Sequence, residues 1–445
     1  VVPVQLVAGG SRPERRAVMW SRRRFLGVGA GVGVAAALRP YPLERLSAAA
    51  RSVDGLPPEQ VAHDEDFWFE VSQAFTVDRN IINLNNGTLQ PSLRVVQDAM
   101  RRHYEFSANA GFHTTAYFSK ECEVVRRRLA SHAGCDCEEL AITRCGSESG
   151  EIAVMGIDLK PGDEVVTTDQ DYPRFINSWK QREKREGIVL RIVELPAPPV
   201  PLDTFYDRVL GAVTPRTKVI HVCHMTHLTA QVAPFKRLAA FARPRGIQVI
   251  LDGAHGFMHV PVDVRDFDCD YYIASLHKWC MAPPGNGFLY VRRSRLASLW
   301  PLTPAPDGQK DDIRKLEDVG TRTFANRAAI AEALAFNEGL GIERKSARLR
   351  YLKERWVNRL KTNPRVRLYS SLDPAESCAI ATFGIDGADH AKLAQKLLDD
   401  HSIVVSHMTH RTFQGFRIVP NISMTLKEID YFGEVMEKEI KNSLT

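Results

Sequence analysis

From about Asn83 to Arg292, short β-branched runs alternate with amphipathic stretches. That alternation restricts the chain to a largely parallel sheet covered on both faces. The runs at 140–143, 164–169, 189–195, 218–224, 248–252, 271–275 and 287–292 have strand character. Between them, 119–133, 147–158, 174–186 and 234–243 carry apolar residues at helical spacing, and Pro161-Gly162-Asp163 supplies a turn. A loop rich in Pro, Asp and Lys (301–318) ends the rhythm, and helical patterns over 326–340 and 344–361 follow. The tail reads as strands at 365–369 and 378–385, a helix at 388–400, strands at 402–406 and 415–419, and a helix at 426–441. The expectation is an α/β fold: a large domain (83–325) with a mainly parallel central sheet, and a smaller α+β C-terminal domain (326–445). A segment at 51–82 is expected to pack on the small domain, behind a leader at 1–50.

The leader accounts for the charge. The net charge is +6, yet residues 1–50 hold eight Lys/Arg and two Asp/Glu, so the rest of the chain is balanced. Without a standing basic face, a nucleic-acid partner loses its physical basis. Ser21-Arg22-Arg23-Arg24-Phe25-Leu26 precedes an apolar stretch, Leu26–Leu38, and then the small residues Ser47-Ala48-Ala49-Ala50. The apolar stretch covers only about 20 Å as a helix, short of a bilayer's hydrocarbon core, so no stable membrane span is expected. The order of charge, apolar run and small residues predicts a signal peptide, with Met19 as a natural start. The paired arginines before Phe-Leu resemble a twin-arginine export signal, implying a periplasmic or extracellular protein.

Ligands of open α/β sheets bind outside the carboxyl ends of strands, and three predicted strand ends here carry unusual polar residues. One runs into Asp252-Gly253-Ala254-His255, another into Ser275-Leu276-His277-Lys278-Trp279, and a third into Arg144-Cys145-Gly146-Ser147-Glu148 where a helix begins. A partly desolvated lysine can act as a nucleophile toward an aldehyde. A carboxylate opposite a pyridine nitrogen keeps that nitrogen protonated. Gly146 and Ser147 at a helix start offer donors to a phosphate, and Tyr172 can cover a ring face. Together these are the requirements of pyridoxal 5′-phosphate (PLP).

The run Leu251–Arg292, with its Asp-x-Ala-His, Ser-x-His-Lys and Gly-x-Gly-x-Leu-Tyr elements, resembles the class V aminotransferase family of fold type I PLP-dependent enzymes. The resemblance extends from about Asn83 to Phe432. It implies that Lys278 carries the cofactor as a Schiff base, that Asp252 pairs with the pyridinium and that His255 neighbours the phenolic oxygen. It further implies that Ser147, Ser275 and His277 bind phosphate, that Tyr172 stacks on the ring and that His224, where desulfurases have an asparagine, stands at the cofactor. Thr321 would reach the phosphate of a neighbouring subunit, which implies a homodimer with active sites at the interface. Gly415–Asn421 and Thr425–Asp430 match the family's C-terminal motif and assign the substrate α-carboxylate to Arg417, since guanidinium matches carboxylate bidentately. Leu84-Asn85-Asn86-Gly87 resembles the signature of the isopenicillin N epimerase-like branch and brings Asn86 toward substrate.

Several residues invite plainer readings. The eight cysteines are scattered without zinc-finger spacing and read as mostly buried thiols. His221, His224, His227, His407 and His410 lack a metal-binding arrangement, so no metal is expected. Arg126-Arg127-Arg128 reads as the solvated face of a helix whose Val124, Val125 and Leu129 pack inward. No cysteine lies between Ala379 and Phe416, and Cys378 begins an apolar strand, which disfavours desulfuration by a loop thiol. The expected activity is at the α-carbon of an amino acid, by transamination or epimerisation. The alternatives are a desulfurase- or lyase-type elimination and a catalytically degenerate exported binding protein.

Overall fold

A computed structural model describes residues 43–442; the apolar leader and its arginines lie outside the described residues. Strand β1 (Ile82–Asn83) precedes the seven strands of the large sheet: β2 (Leu140–Thr143), β3 (Glu164–Thr168), β4 (Val189–Val193), β5 (Thr217–Cys223), β6 (Gln248–Asp252), β7 (Tyr271–Ser275) and β8 (Gly287–Val291). The spatial order is β2-β8-β7-β6-β5-β3-β4. β8 pairs antiparallel with both β7 and β2 and is the one reversed strand, so the others present their carboxyl ends along a single edge. The burial of β2, β3, β7 and β8 along their whole length is that of a sheet packed on both faces.

The smaller sheet comprises β9 (Val366–Leu368), β10 (Ala381–Ile385), β12 (Ser406–Thr409) and β13 (Gln414–Ile418), antiparallel in the order β12-β13-β10-β9. Strand β11 (Ile403–Val404) pairs in parallel with β1. The expected boundary at 326 does not separate the two cores. Ile330, Leu334, Phe336 and Leu340 pack into the core of the large sheet, whereas Leu352, Trp356 and Leu360 belong to that of the small one. Helix Ile342–Leu360 therefore passes from one core to the other. Helix Arg94–Ala110, unmarked in the sequence reading, packs on Ile330–Leu340 and Ala325–Ala328. The small-residue run expected as a cleavage site lies in helix Leu43–Ser52, whose Leu46 and Ala50 are buried. That helix contacts helix Ile330–Leu340.

The reading of Arg126 as solvated is corrected. Arg126 is 1 % exposed, while Val124 is 40 % exposed. Arg126 ion-pairs with the buried Glu317 and donates to Leu140 O (2.8 Å). Glu317 Oε1 accepts from Ile142 N (2.6 Å), Arg327 Nη1 donates to Glu317 Oε2 (2.8 Å), and Arg327 also donates to Ile142 O. β2 is an edge strand, and these three side chains satisfy backbone groups that its free edge would otherwise leave bare. The strand they hold leads directly to Gly146.

Candidate active site

The carboxyl ends of β2, β5, β6 and β7, together with β12 and β13, enclose a cavity of about 420 Å³. Of the residues expected in the site, Gly146, Ser147, Tyr172, Asp252, His255, Ser275, His277, Lys278 and Arg417 line it. Lys278 follows β7 in a turn where its N–H donates to Ser275 O (3.3 Å). Burial lowers its amine to about 8, against an opposing pull from Asp252. Lys278 Nζ lies 3.4 Å from His255 Nε2. Asp252 ends β6; its Oδ1 accepts from Ala254 N (2.9 Å), and burial raises its carboxyl to about 6. Burial also pulls His255 well below the ordinary histidine value, so its ring is neutral.

Helix Gly146–Gly156 points its N-terminus at the cavity, and Cys145 Sγ accepts from Glu148 N (3.4 Å) as its cap. A Cβ on Gly146 would stand 2.3 Å from Ser275 Oγ, so a side chain there would fill the cradle that the free backbone N–H groups form. Tyr172 caps helix Pro173–Glu186 without a side-chain bond and is 38 % exposed.

Arg417, on β13 opposite Thr382 and Ser406, is 6 % exposed. Its Nη1 donates to His227 O (2.9 Å), Nε has no partner, and no carboxylate pairs with it among the described residues. Burial lowers the guanidinium to about 10. A buried cation without a counterion, facing a cavity, has the charge and free donors to receive an anion.

Two expected site residues, His224 and Asn86, turn away from the cavity, and Thr321, expected at a neighbouring subunit's phosphate, lies outside it. His224 packs between Phe235 (4.7 Å) and Phe267 (5.1 Å) and bonds Tyr272 Oη (3.2 Å). Cys223 faces the cavity, and the alternation of an extended chain turns the next residue to the opposite side. Of the histidines that follow β5, His227 faces the cavity; its Nδ1 donates to Gln170 O (2.9 Å), leaving Nε2 as an acceptor. Asn86 spends its amide on Asn83 O (2.6 Å) and Val419 O (2.9 Å), so its neighbours Gly87 and Thr88 line the cavity instead. Thr321 is exposed on a loop outside the cavity. Ser406 and Met408 line the cavity and were missed; the signal was their alternate placement on a strand beside Arg417. Cys378 is buried against His259 O and Ser346 O, away from the cavity.

The donors and acceptors left unmatched fit PLP. Among the described residues Asp252 is a buried carboxylate without an ion-pair partner, His255 Nδ1 and His277 Nδ1 have no hydrogen-bond partner, and Lys278 stands beside them. Asp252 would hold the pyridine nitrogen, Lys278 the aldehyde, and Gly146, Ser147, Ser275 and His277 the phosphate.

Comparison with known proteins agrees. The family description Aminotransferase class-V matches residues 81–431. The chain is 27 % identical over 392 residues to isopenicillin N epimerase of Amycolatopsis lactamdurans, covering 83 % of this chain and 98 % of the relative. It is 26 % identical over 343 residues to a cysteine desulfurase of Serratia proteamaculans, covering 72 % and 81 %. A lysine-to-alanine mutant of C-DES, solved with glycine covalently linked to its PLP cofactor, superposes with a TM-score of 0.72 at 20 % identity, covering 81 % and 98 %. The match spans most of both cores and the whole cavity, so the chain belongs to the class V aminotransferase family, of fold type I, and its cofactor is pyridoxal 5′-phosphate.

Proposed function

We propose that the protein acts at the α-carbon of an amino acid with a free α-carboxylate, by transamination or epimerisation. The observation that carries this reading is Arg417, a buried guanidinium without a counterion in the cavity that holds Lys278 and Asp252. When bound, PLP supplies a carbonyl carbon for the substrate amine and a ring that draws electrons from the α-carbon. Arg417 orients the carboxylate and so places the α-hydrogen within reach of the lysine. Lys278, with its amine held near 8, can take and return that proton at neutral pH. Asp252 keeps a negative charge opposite the ring nitrogen once a cation faces it. The neutral His255 offers a hydrogen bond without adding charge.

A second reading, elimination of sulfur from a cysteine-type substrate, draws on the desulfurase relatives and on two thiols, Cys145 and Cys223, that line the cavity. No cysteine occurs between Ala379 and Phe416 to serve as a loop acceptor, so this reading requires release of free sulfide or a persulfide. The family resemblance further suggests a homodimer in which Thr321 reaches a partner's phosphate site. The arginine-bearing leader suggests export.

An amino-acid screen on the PLP-loaded protein tests these readings. Keto acid or racemised product supports the first, and sulfide from cysteine supports the second. A loaded protein whose cofactor spectrum responds to no amino acid contradicts both and leaves a binding protein.

A further inference from the structure

Two short turns carry the histidine and the amine of the site, 255–259 and 278–281. Each contains a non-glycine residue in the left-handed region: Met258 (φ 58°) and Met281 (φ 59°), both buried. Such backbone costs about 1–3 kcal/mol and persists only where surrounding groups hold it. Between the two turns stands one ring, that of His259, which is fully buried. Its Nδ1 lies 2.7 Å from His255 O, its Nε2 lies 3.0 Å from Ala379 N, and its face stacks on Trp279 at 3.6 Å and 3°.

These contacts fix the tautomer. A backbone N–H can only donate, so Nε2 must accept from Ala379, and the neutral ring carries its hydrogen on Nδ1 and donates to His255 O. Trp279 follows Lys278 directly, and its carbonyl accepts from the buried Lys345. Asn337 Nδ2 donates to the next carbonyl, Cys280 O (3.0 Å), and Ser346 Oγ donates to His259 O (2.8 Å). The ring thus touches the backbone of one site residue and the side chain beside the other, and anchors both at Ala379, just before β10.

We infer that His259 is a positioning residue, which braces the turns of His255 and Lys278 against the start of the small sheet and so holds the two groups in register. The inference applies whichever α-carbon reaction the site performs.

Two substitutions separate positioning from general support. Asn at 259 can still donate from near the Nδ1 position to His255 O but cannot reach Ala379 N. Gln can accept from Ala379 N but cannot donate to His255 O. In PLP-loaded protein, we expect His259→Gln to move the pH midpoint of the cofactor absorbance by about half a unit or more. It should also lower kcat about tenfold or more with KM within about threefold, as loss of a supporting partner does elsewhere. His259→Asn keeps the bond to His255 O but loses the Trp279 stack and the Ala379 anchor, so it should move the midpoint less than His259→Gln while lowering the unfolding temperature, because the Ala379 N–H loses its acceptor. Leu352→Ala, a truncation in the small core, should lower the unfolding temperature and leave the midpoint unchanged. Midpoint shifts that follow unfolding temperature across all three variants, or a wild-type midpoint and kcat in His259→Gln, would overturn the inference. If His259→Gln does not fold, Trp279→Leu removes the stacked partner and should move the midpoint; an unchanged midpoint there overturns it equally.

Discussion

Replacing Arg417 with methionine separates the two roles a buried arginine can have. The guanidinium is 6 % exposed and has no carboxylate partner, and burial lowers it from 12.5 to about 10. At 1.36 kcal/mol per pH unit, about 3 kcal/mol stands against the charged form in the free protein. Methionine removes that charge and approximates the side-chain length, while the hydrogen bond to His227 O, worth about 1–2 kcal/mol, is lost. The variant should therefore unfold in urea with a stability equal to wild type or about 1–2 kcal/mol higher. Its kcat/KM for the amino acid that the screen identifies should fall by about 3–4 kcal/mol, or 10²–10³-fold, because the substrate carboxylate loses a charged, bidentate partner. A variant that loses several kcal/mol of stability while keeping kcat/KM within about threefold would make Arg417 a structural residue and refute the anion-receptor argument.

Asp252 gives a pH-dependent prediction. Its carboxyl rises from 3.8 to about 6, so between those values the folded apoprotein keeps a proton that the unfolded chain has released, and stability falls as pH rises. Apoprotein Asp252→Asn should match wild type below pH 4 and exceed it above pH 6, by up to about 3 kcal/mol; an equal difference at both pH values in urea unfolding would contradict this. Glu317→Ala strands Arg327 as a buried cation, leaves Arg126 with Glu123 as its one carboxylate partner and bares Ile142 N, so it should cost about 3–5 kcal/mol in urea unfolding. A loss under about 1 kcal/mol would show that the edge of β2 does not depend on this triad.

The strand ends were legible because each strand is short, β-branched and closed by a polar residue where its neighbours are apolar. Asp252, Ser275 and Lys278 stand out for that reason, and all three meet in one cavity. Spacing did not reveal which histidine after β5 turns inward: His224, directly after Cys223, packs among Phe235 and Phe267, while His227 lies beyond the strand, where no periodicity holds, and faces the cavity. Asn86 was misread because an asparagine in a signature can serve its own loop, as its bonds to Asn83 and Val419 show. Arg126 was misread because its partner Glu317 is 191 residues away, and no local pattern announces a long-range ion pair. The boundary at 326 was not legible for a related reason: helix Ile330–Leu340 is apolar around most of its surface, and its sequence does not show which core it joins. Ser406 and Met408 became visible only once β12 was paired with β13.

The central claim is that Lys278 holds the cofactor opposite Asp252. Borohydride reduction of the PLP-loaded protein, followed by peptide mass spectrometry, tests it directly. The account predicts a pyridoxyl adduct on Lys278, and its loss in Lys278→Ala with no adduct appearing elsewhere. An adduct on another lysine, such as the buried Lys345, would contradict it.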